Sequence, residues 1–361
     1  MTMDETTTHI KEPPKKLDIA IVSTSINEAP VAYAKWAKLG RLIIAGDKNT
    51  PPTLEHYIKS LGEQHQYIPP AQQDRWESSE VIGWHNIQRR NIAILEAIKS
   101  DVDYIITVDD DNIPLQNIDL ILSAFENSHA LHVSSALGWY DPCRELIPAV
   151  WHRGFPYSFR NQQGKQGVES LERYDVIKVP IGVVAATWLG EPDVGAIDRI
   201  TNHVLVQGHH ATLLDPGVVL QPGTWCPFNS QATAWRAEYA SLMMCWPGVG
   251  RFDDIFASFA ARRVLDELGV GVKYVQPLVR QDRNEHDSFV DLENEMFGYK
   301  HQDELCELLR AVDLRGIDDV QDMQHHVYDA LSGARFLPHR TIESFECWMN
   351  DVKTAEKERA V

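Results

Sequence analysis

The chain has 361 residues, 43% of them hydrophobic, which is enough for one large or two ordinary domains with a full core. Its formal net charge of −18 argues against nucleic acid as a main partner and against docking on anionic membranes, since both need basic surface. With no apolar run near the ~20 residues of a membrane helix, and with five scattered cysteines (Cys143, Cys226, Cys245, Cys306, Cys347) lacking CxxC spacing, the expectation is a soluble, cytoplasmic protein without a zinc site.

Residues 1–16 are polar and read as a disordered tail with no signal region. Residues 17–25 have the composition of a strand running into a polar loop with Asn27 and Glu28. A helical stretch over about 31–39 and a second strand over 41–45, ended by Gly46-Asp47, complete a βαβ unit. Ser23, Thr24, Asn27 and Asp47 then fall at strand ends, where a base and ribose would rest in an open α/β sheet. Residues 48–80 are rich in Pro, Gln and charge and read as loops with one short helix near 54–61. Arg89-Arg90-Asn91 opens or lies within a helix reaching about residue 99. Its arginines suit bidentate bonds to phosphate or base, or salt bridges on an exposed helix face.

The stretch Tyr104-Ile105-Ile106-Thr107-Val108-Asp109-Asp110-Asp111-Asn112 predicts a buried strand with three carboxylates at its end. Three adjacent like charges cost free energy unless a cation or a hydrogen-bond network offsets them, and hard oxygen ligands suit Mg²⁺ or Mn²⁺. Strand alternation would point Asp109 and Asp111 to one side and Asp110 to the other. A solvated acidic turn capping the next helix is the competing reading.

Residues 115–128 read as a helix and 131–134 as a strand. The stretch from about 139 to 225 reads as irregular, dense in Trp, Gly and Pro, the place for acceptor or active-site loops. In it, Arg153-Gly154-Phe155-Pro156-Tyr157-Ser158-Phe159-Arg160 brackets aromatics with two cations, a composition for gripping an anion or stacking a sugar, or for an ordinary surface loop. The exposed-looking Trp188 and Trp225 are candidate sugar platforms, or core. Asp253-Asp254 opens a helix over 253–268, as caps or with one carboxylate in a cleft as base toward a hydroxyl. After a strand over 271–275, His286 is a candidate metal ligand, whereas His209-His210 reads as loop. Residues 300–361 read as two or three amphipathic helices. There is no internal repeat, and no GxGxxG loop supports a dinucleotide.

Taken in order, these segments resemble the plant reversibly glycosylated polypeptides, cytosolic proteins of GT-A glycosyltransferase fold that act as UDP-arabinopyranose mutases. The resemblance covers most of residues 17–300. It is carried by Val108-Asp109-Asp110-Asp111 as a DxD motif, by residues 153–160 against the family's RGYPFSLR, by Trp188-Leu189-Gly190-Glu191-Pro192-Asp193, and by Gly250-Arg251-Phe252-Asp253-Asp254-Ile255. It implies that Asp109 and Asp111 hold Mn²⁺ or Mg²⁺ against a UDP diphosphate, that Arg153 is reversibly glycosylated and that Arg160 is required. Residues 26–90 depart from the plant pattern. Gly46-Asp47-Lys48-Asn49-Thr50-Pro51 is closer to the STELLO-type glycosyltransferase-like proteins, which are membrane-anchored. Gln281-Asp282-Arg283 stands near the place of the family's His-Ser-Lys.

The expectation is therefore an α/β fold of GT-A type with a mostly parallel, Rossmann-like central sheet. Its parts would be a tail (1–16), a nucleotide-sugar domain (17–299) and a C-terminal helical extension (300–361). Catalytic candidates are Arg153, Arg160, Asp193, Asp253 and Asp254. Nucleotide-sugar candidates are Ser23, Thr24, Asn27, Asp47, Arg89, Arg90, Asp110 and Trp188, and metal candidates are Asp109, Asp111 and His286. The first functional reading is a metal-dependent UDP-sugar mutase that labels itself. The alternatives are a glycosyltransferase with a separate carbohydrate acceptor and a non-catalytic nucleotide-sugar-binding partner of one. A nucleotidyltransferase would want a Gly-rich basic loop that residues 23–30 lack. A homo-oligomer is compatible with all of these.

Overall fold

The computed structural model describes residues 17–126, 130–160, 168–174, 179–213, 217–283 and 287–359. The expected tail over residues 1–16 lies outside the described residues, and so does His286.

Four strands open the fold: β1 (Ile19–Thr24), β2 (Arg41–Ala45), β3 (Gln66–Ile68) and β4 (Tyr104–Thr107). They pair in parallel in the order β3-β2-β1-β4, joined through the helices Val31–Trp36, Thr53–Ser60 and Arg90–Lys99. All six residues of β1 and all four of β4 are buried, as helix-covered strands require. The helix Arg90–Lys99 packs on β1 and β2 and is buried through Ile98, so its apolar residues are spread around it rather than set in one stripe, with Arg90, Asn91 and Glu96 buried among them.

The later strands are β5 (Asn112–Pro114), β6 (Ala130–Ser135), β7 (Leu146–Ile147), β8 (Val168–Tyr174) and β9 (Ile181–Gly190). After them come β10 (Gly208–His209), β11 (Val218–Leu220), β12 (Thr233–Arg236) and β13 (Gly271–Gln281). One mixed sheet runs β3-β2-β1-β4-β12-β9-β13-β11-β6-β8, with β5 on β13, and β7 and β10 form a separate pair. Beyond β4 the antiparallel β12 enters between β4 and β9, while β9 and β13 pair in parallel.

The stretch expected to be irregular holds β9, a ten-residue strand inside the sheet with nine residues buried. Its run Ile181-Gly182-Val183-Val184-Ala185-Ala186 is continuous rather than alternating, the mark of a strand covered on both faces. The expected helix over 115–128 is limited to Leu120–Ser123. β13 continues six residues past its expected end at 275, because Pro277 sits at a register shift against β9 that absorbs its missing N–H.

Three helices close the fold: Ser288–Ala311, Val320–Ser332 and His339–Arg359. The boundary expected between 299 and 300 falls inside the first. The last packs on the helices Arg90–Lys99 and Ser78–Ile82. It is fixed there by Asp351, which accepts from the Glu77 and Ser78 amides at 2.8 Å, and by buried Trp348, whose indole donates to Ser241 O at 2.7 Å. Gly298 lies flat on Phe252, where an added Cβ would stand 2.0 Å from the ring. That contact sets the position of the turn leading into Asp253 and Asp254. Gly298→Ala should therefore lower stability by about 1–3 kcal/mol through overpacking. Urea unfolding reads this out, and an unchanged midpoint would mean that the ring moves aside freely.

Candidate functional site

A cleft of about 820 Å³ opens at the carboxyl ends of β1, β2 and β4 and extends to the end of β13. A cavity of that size accommodates a small-molecule ligand the size of a nucleotide. Its walls carry Thr24, Asn27, Asp47, the triplet Asp109–Asp111, Arg153, Asp193, Asp253 and Asp254, residues spread over more than two hundred positions of sequence.

β4 ends at Thr107, so strand alternation does not reach the triplet, and all three carboxylates line the same cleft. They are separated instead by their partners. Asp109 accepts from Arg90 and from the Gln231 amide. Asp110 accepts from the Ser25 hydroxyl and from Asn27 Nδ2 at 2.8 Å. Asp111 receives Asn112 Nδ2 at 3.2 Å. Burial, and then the charges of Asp109 and Asp110, push its carboxyl up to about 7.

Among the described residues no three His, Cys, Asp or Glu side chains converge as a metal-binding group. Mg²⁺ and Mn²⁺ are nevertheless commonly bound through one or two carboxylates plus substrate phosphates. The Asp111 carboxylate, crowded by like charge, and the buried Gln281 Oε1, which has no hydrogen-bond partner among the described residues, are oxygens of the right kind. These residues fit such an ion.

The opposite wall is a buried ion cluster. Arg153 Nε lies 3.0 and 3.1 Å from the two Asp193 oxygens, and Nη2 bonds Asp193 and Asp254, each at 3.0 Å. Nη1 donates to Arg251 O. Although burial opposes its charge, the two carboxylates hold Arg153 well above its usual range, and Arg153 holds Asp193 well below the usual carboxylate range against the same penalty. Asn229 Nδ2 also donates to Asp193 at 2.8 Å. Gly154 takes φ +83°, and a Cβ there would meet Ile255 at 2.3 Å, so only glycine lets the loop press Arg153 against the helix Asp253–Glu267.

Asp253 and Asp254 open that helix, whose N-cap residue Phe252 provides no side-chain cap. Asp254 is saturated by Arg153, the Ser230 amide at 2.9 Å and the Ser230 hydroxyl at 3.1 Å. Asp253 accepts from Gln88 Nε2 at 2.7 Å, and burial with the charge of Asp254 pushes it up to about 6. Of the two, Asp253 is the group placed to exchange a proton near neutrality.

Several expected residues serve elsewhere. Ser23 is buried, donating to Val108 O at 2.7 Å, and is not part of the cleft wall. Thr24 reaches the wall, but its hydroxyl donates to Ala45 O at 2.7 Å. Asp47 accepts from the His85 and Asn86 amides, both at 3.0 Å, and so shapes the wall through them. Neither arginine lies on an exposed helix face. Arg89 is buried against Trp84, 3.9 Å from the ring centroid, and bonds Ser79 O, so it is structural here. Arg90 reaches the site through Asp109 and through Ser230, whose carbonyl and hydroxyl oxygens it also bonds. Arg160 pairs with Asp198 at 2.8 and 2.9 Å and stacks on Tyr157, fastening the loop that carries Arg153 without reaching the cleft. Trp188 and Trp225 are buried rather than exposed platforms: the Trp188 indole donates to Gln231 and the Trp225 indole to Asp266. Sequence reasoning assigned no role to Gln231, Gln281 or Arg283. A polar side chain inside an apolar strand, as Gln281 is at the end of β13, was the available signal.

The model of the family described as "Reversibly glycosylated polypeptide" matches residues 77–353. "Probable UDP-arabinopyranose mutase 1" of Pisum sativum is 28% identical over 181 residues, 48% of this chain and 44% of the relative. UDP-arabinopyranose mutase 1 of Arabidopsis thaliana is 26% identical over the same shares. The chain thus spans about half the length of the relatives it matches. Among solved structures, glucosyl-3-phosphoglycerate synthase from Mycobacterium tuberculosis with Mg²⁺ and UDP superposes with a TM-score of 0.43 at 15% identity, over 81% of this chain and 80% of that one. A superposition that loose says nothing about the function of this chain. No described helix is long and apolar enough to cross a membrane.

The raised Asp253 gives a pH signature. Its folded-state value lies above its unfolded one, so its contribution to stability is full below about pH 4 and is lost as the pH rises through about 6. Asp253→Asn does not titrate, and between pH 4 and 7 its stability should gain on the wild type by about 1–3 kcal/mol. Urea unfolding across that range checks this. A constant difference would show that Asp253 ionises normally.

Proposed function

This chain belongs to the reversibly glycosylated polypeptide family, and from that premise we propose that its cleft binds a UDP-sugar and acts on the bond between the sugar and the diphosphate. The observation that carries the reading is that the acidic turn Asp109–Asp111 and the Arg153–Asp193–Asp254 cluster line one cleft, with Asp253 between them in chemistry: a carboxyl poised near neutrality.

The base and ribose lie over the ends of β1 and β2, beside Asn27 and the amides that Asp47 orients. The diphosphate lies over the acidic turn, and the sugar points to Asp193 and Asp253. Asp111 and Asp109, with the Gln281 carbonyl oxygen, would hold Mg²⁺ or Mn²⁺. That ion would act as a Lewis acid on charge developing at the departing diphosphate. Arg90 holds Asp109 in place, while Ser25 and Asn27 do the same for Asp110.

In the mutase form the anomeric C–O bond breaks with its electron pair on the diphosphate, and a C–N bond forms to Arg153. The displaced guanidinium proton passes to Asp254, 3.0 Å from Nη2. The sugar ring then opens and recloses, Asp253 giving a proton to the ring oxygen and taking one from the hydroxyl that closes the new ring; the diphosphate oxygen re-attacks the anomeric carbon as the C–N bond breaks, and Asp254 returns its proton to Arg153. A second reading has its own observation: each Arg153 nitrogen is already engaged by Asp193, Asp254 or Arg251 O. In that form Arg153 is a fixed charge, and an acceptor hydroxyl deprotonated by Asp253 takes the sugar.

Intact-protein mass and nucleotide products after incubation with UDP-sugars and Mn²⁺ separate the forms. One added sugar together with a rearranged UDP-sugar supports the mutase, UDP release alone supports the transferase, and no product with any donor sinks both. Asp111→Asn should lower turnover on the order of 10²-fold or more while leaving the melting temperature in place. Wild-type turnover in that variant would rule out a metal at this turn. Arg153→Ala would strand two buried carboxylates at a cost of about 3–5 kcal/mol, so Arg153→Lys is the cleaner test. It keeps the charge and should abolish attachment of labelled sugar, and a label retained at full stoichiometry would exclude Arg153 as the attachment site.

A further inference from the structure

The end of β13 presents a cation with too little to hold it. The Arg283 side chain is 6% exposed, and its Nε and Nη1 have no hydrogen-bond partner among the described residues. Its ion pair with Asp291 is long, 3.5 Å from Nη2, and the same carboxylate takes Arg199 at 2.9 Å and Arg251 at 3.4 Å. Three guanidinium groups therefore converge on one carboxylate. A buried cation left this way lowers the stability of the empty protein unless a negative group arrives. Arg283 lines the same cleft as Asp111 and Arg251.

We propose that Arg283 receives a phosphate oxygen in this cleft, so that a fixed guanidinium, and not only a cation held by the acidic turn, grips the diphosphate. The assignment of that phosphate to a nucleotide rests on the UDP-sugar reading. The same chemistry would hold a sugar phosphate or a free phosphate. A buried guanidinium with two undirected N–H nitrogens suits a multi-oxygen anion better than a single carboxylate, which Asp291 already supplies. It also gives the protein an affinity for the diphosphate that survives without metal.

The test is calorimetric titration of the full chain in EDTA with UDP, uridine, a hexose 1-phosphate and inorganic phosphate. It compares the wild type with Arg283→Gln and Arg283→Lys and adds ligand-free melting curves. Arg283→Gln should weaken UDP about 10- to 100-fold, leave uridine unchanged and melt no lower than the wild type, with Arg283→Lys intermediate. Unchanged UDP affinity in Arg283→Gln overturns the assignment while leaving the UDP-sugar reading intact. A lower melting temperature with UDP affinity retained also overturns it, in favour of a packing role. Phosphate or sugar phosphate bound through Arg283 with no binding of UDP supports the oxyanion site and removes the nucleotide. A wild type that binds no phosphate compound in EDTA overturns the proposal.

Discussion

A guanidinium buried between two carboxylates is tolerable only when every charged atom finds a partner, and the group formed by Arg153, Asp193 and Asp254 meets that condition. All three Arg153 nitrogens are engaged, Asp193 is also held by Asn229, and Asp254 by Ser230. The three residues come from the loop before Tyr157–Arg160, the segment after β9 and the start of the helix Asp253–Glu267. One contact thus ties together segments 40 and 101 positions from Arg153. Removing one member leaves an uncompensated charge in a low-dielectric interior, which costs more than the complete cluster contributes. The remaining wall depends on this anchor: Gly154 lets the loop approach, Arg160 fastens its far end on Asp198, and Gly298 on Phe252 fixes the turn from the other side.

Across the cleft the problem is the reverse, an excess of negative charge. Three adjacent carboxylates escape mutual repulsion by having unlike surroundings. Asp109 has a buried arginine, Asp110 has a hydroxyl and an amide, and burial with its two neighbours' charge pushes the Asp111 carboxyl up. The same division separates Asp254, saturated with donors, from Asp253, which is pushed toward neutrality. In both groups it is the environment, not the residue type, that decides how each carboxyl is held. Arg283, held among the described residues only by a long ion pair to a shared Asp291, adds a cation to the same cleft.

The early half of the fold was legible in the sequence, because β1, β2 and β4 are apolar runs closed by polar residues, and the strand ends placed Asp47 and the acidic turn on one edge. β9 was not, because a strand covered on both faces loses alternation and its neighbourhood of Trp, Gly and Pro resembles loop. The tryptophans read as exposed for the same reason: composition gives no side, and Trp188 and Trp225 prove to be core with bonded indoles.

By itself the sequence determined the family, the α/β winding, the acidic turn at a strand end and the arginine-bracketed segment, since each depends on local composition and on short motifs. Only the tertiary structure decided that Arg153 lies against two carboxylates and Arg160 outside the cleft, that Arg90 rather than Arg89 serves the acidic turn, that the Asp253 carboxyl is pushed up, and that Arg283 has only a long ion pair to a shared Asp291 among the described residues. Those outcomes depend on distance and burial, which fix the electrostatic energy of a charge and follow from the packing of segments remote in sequence.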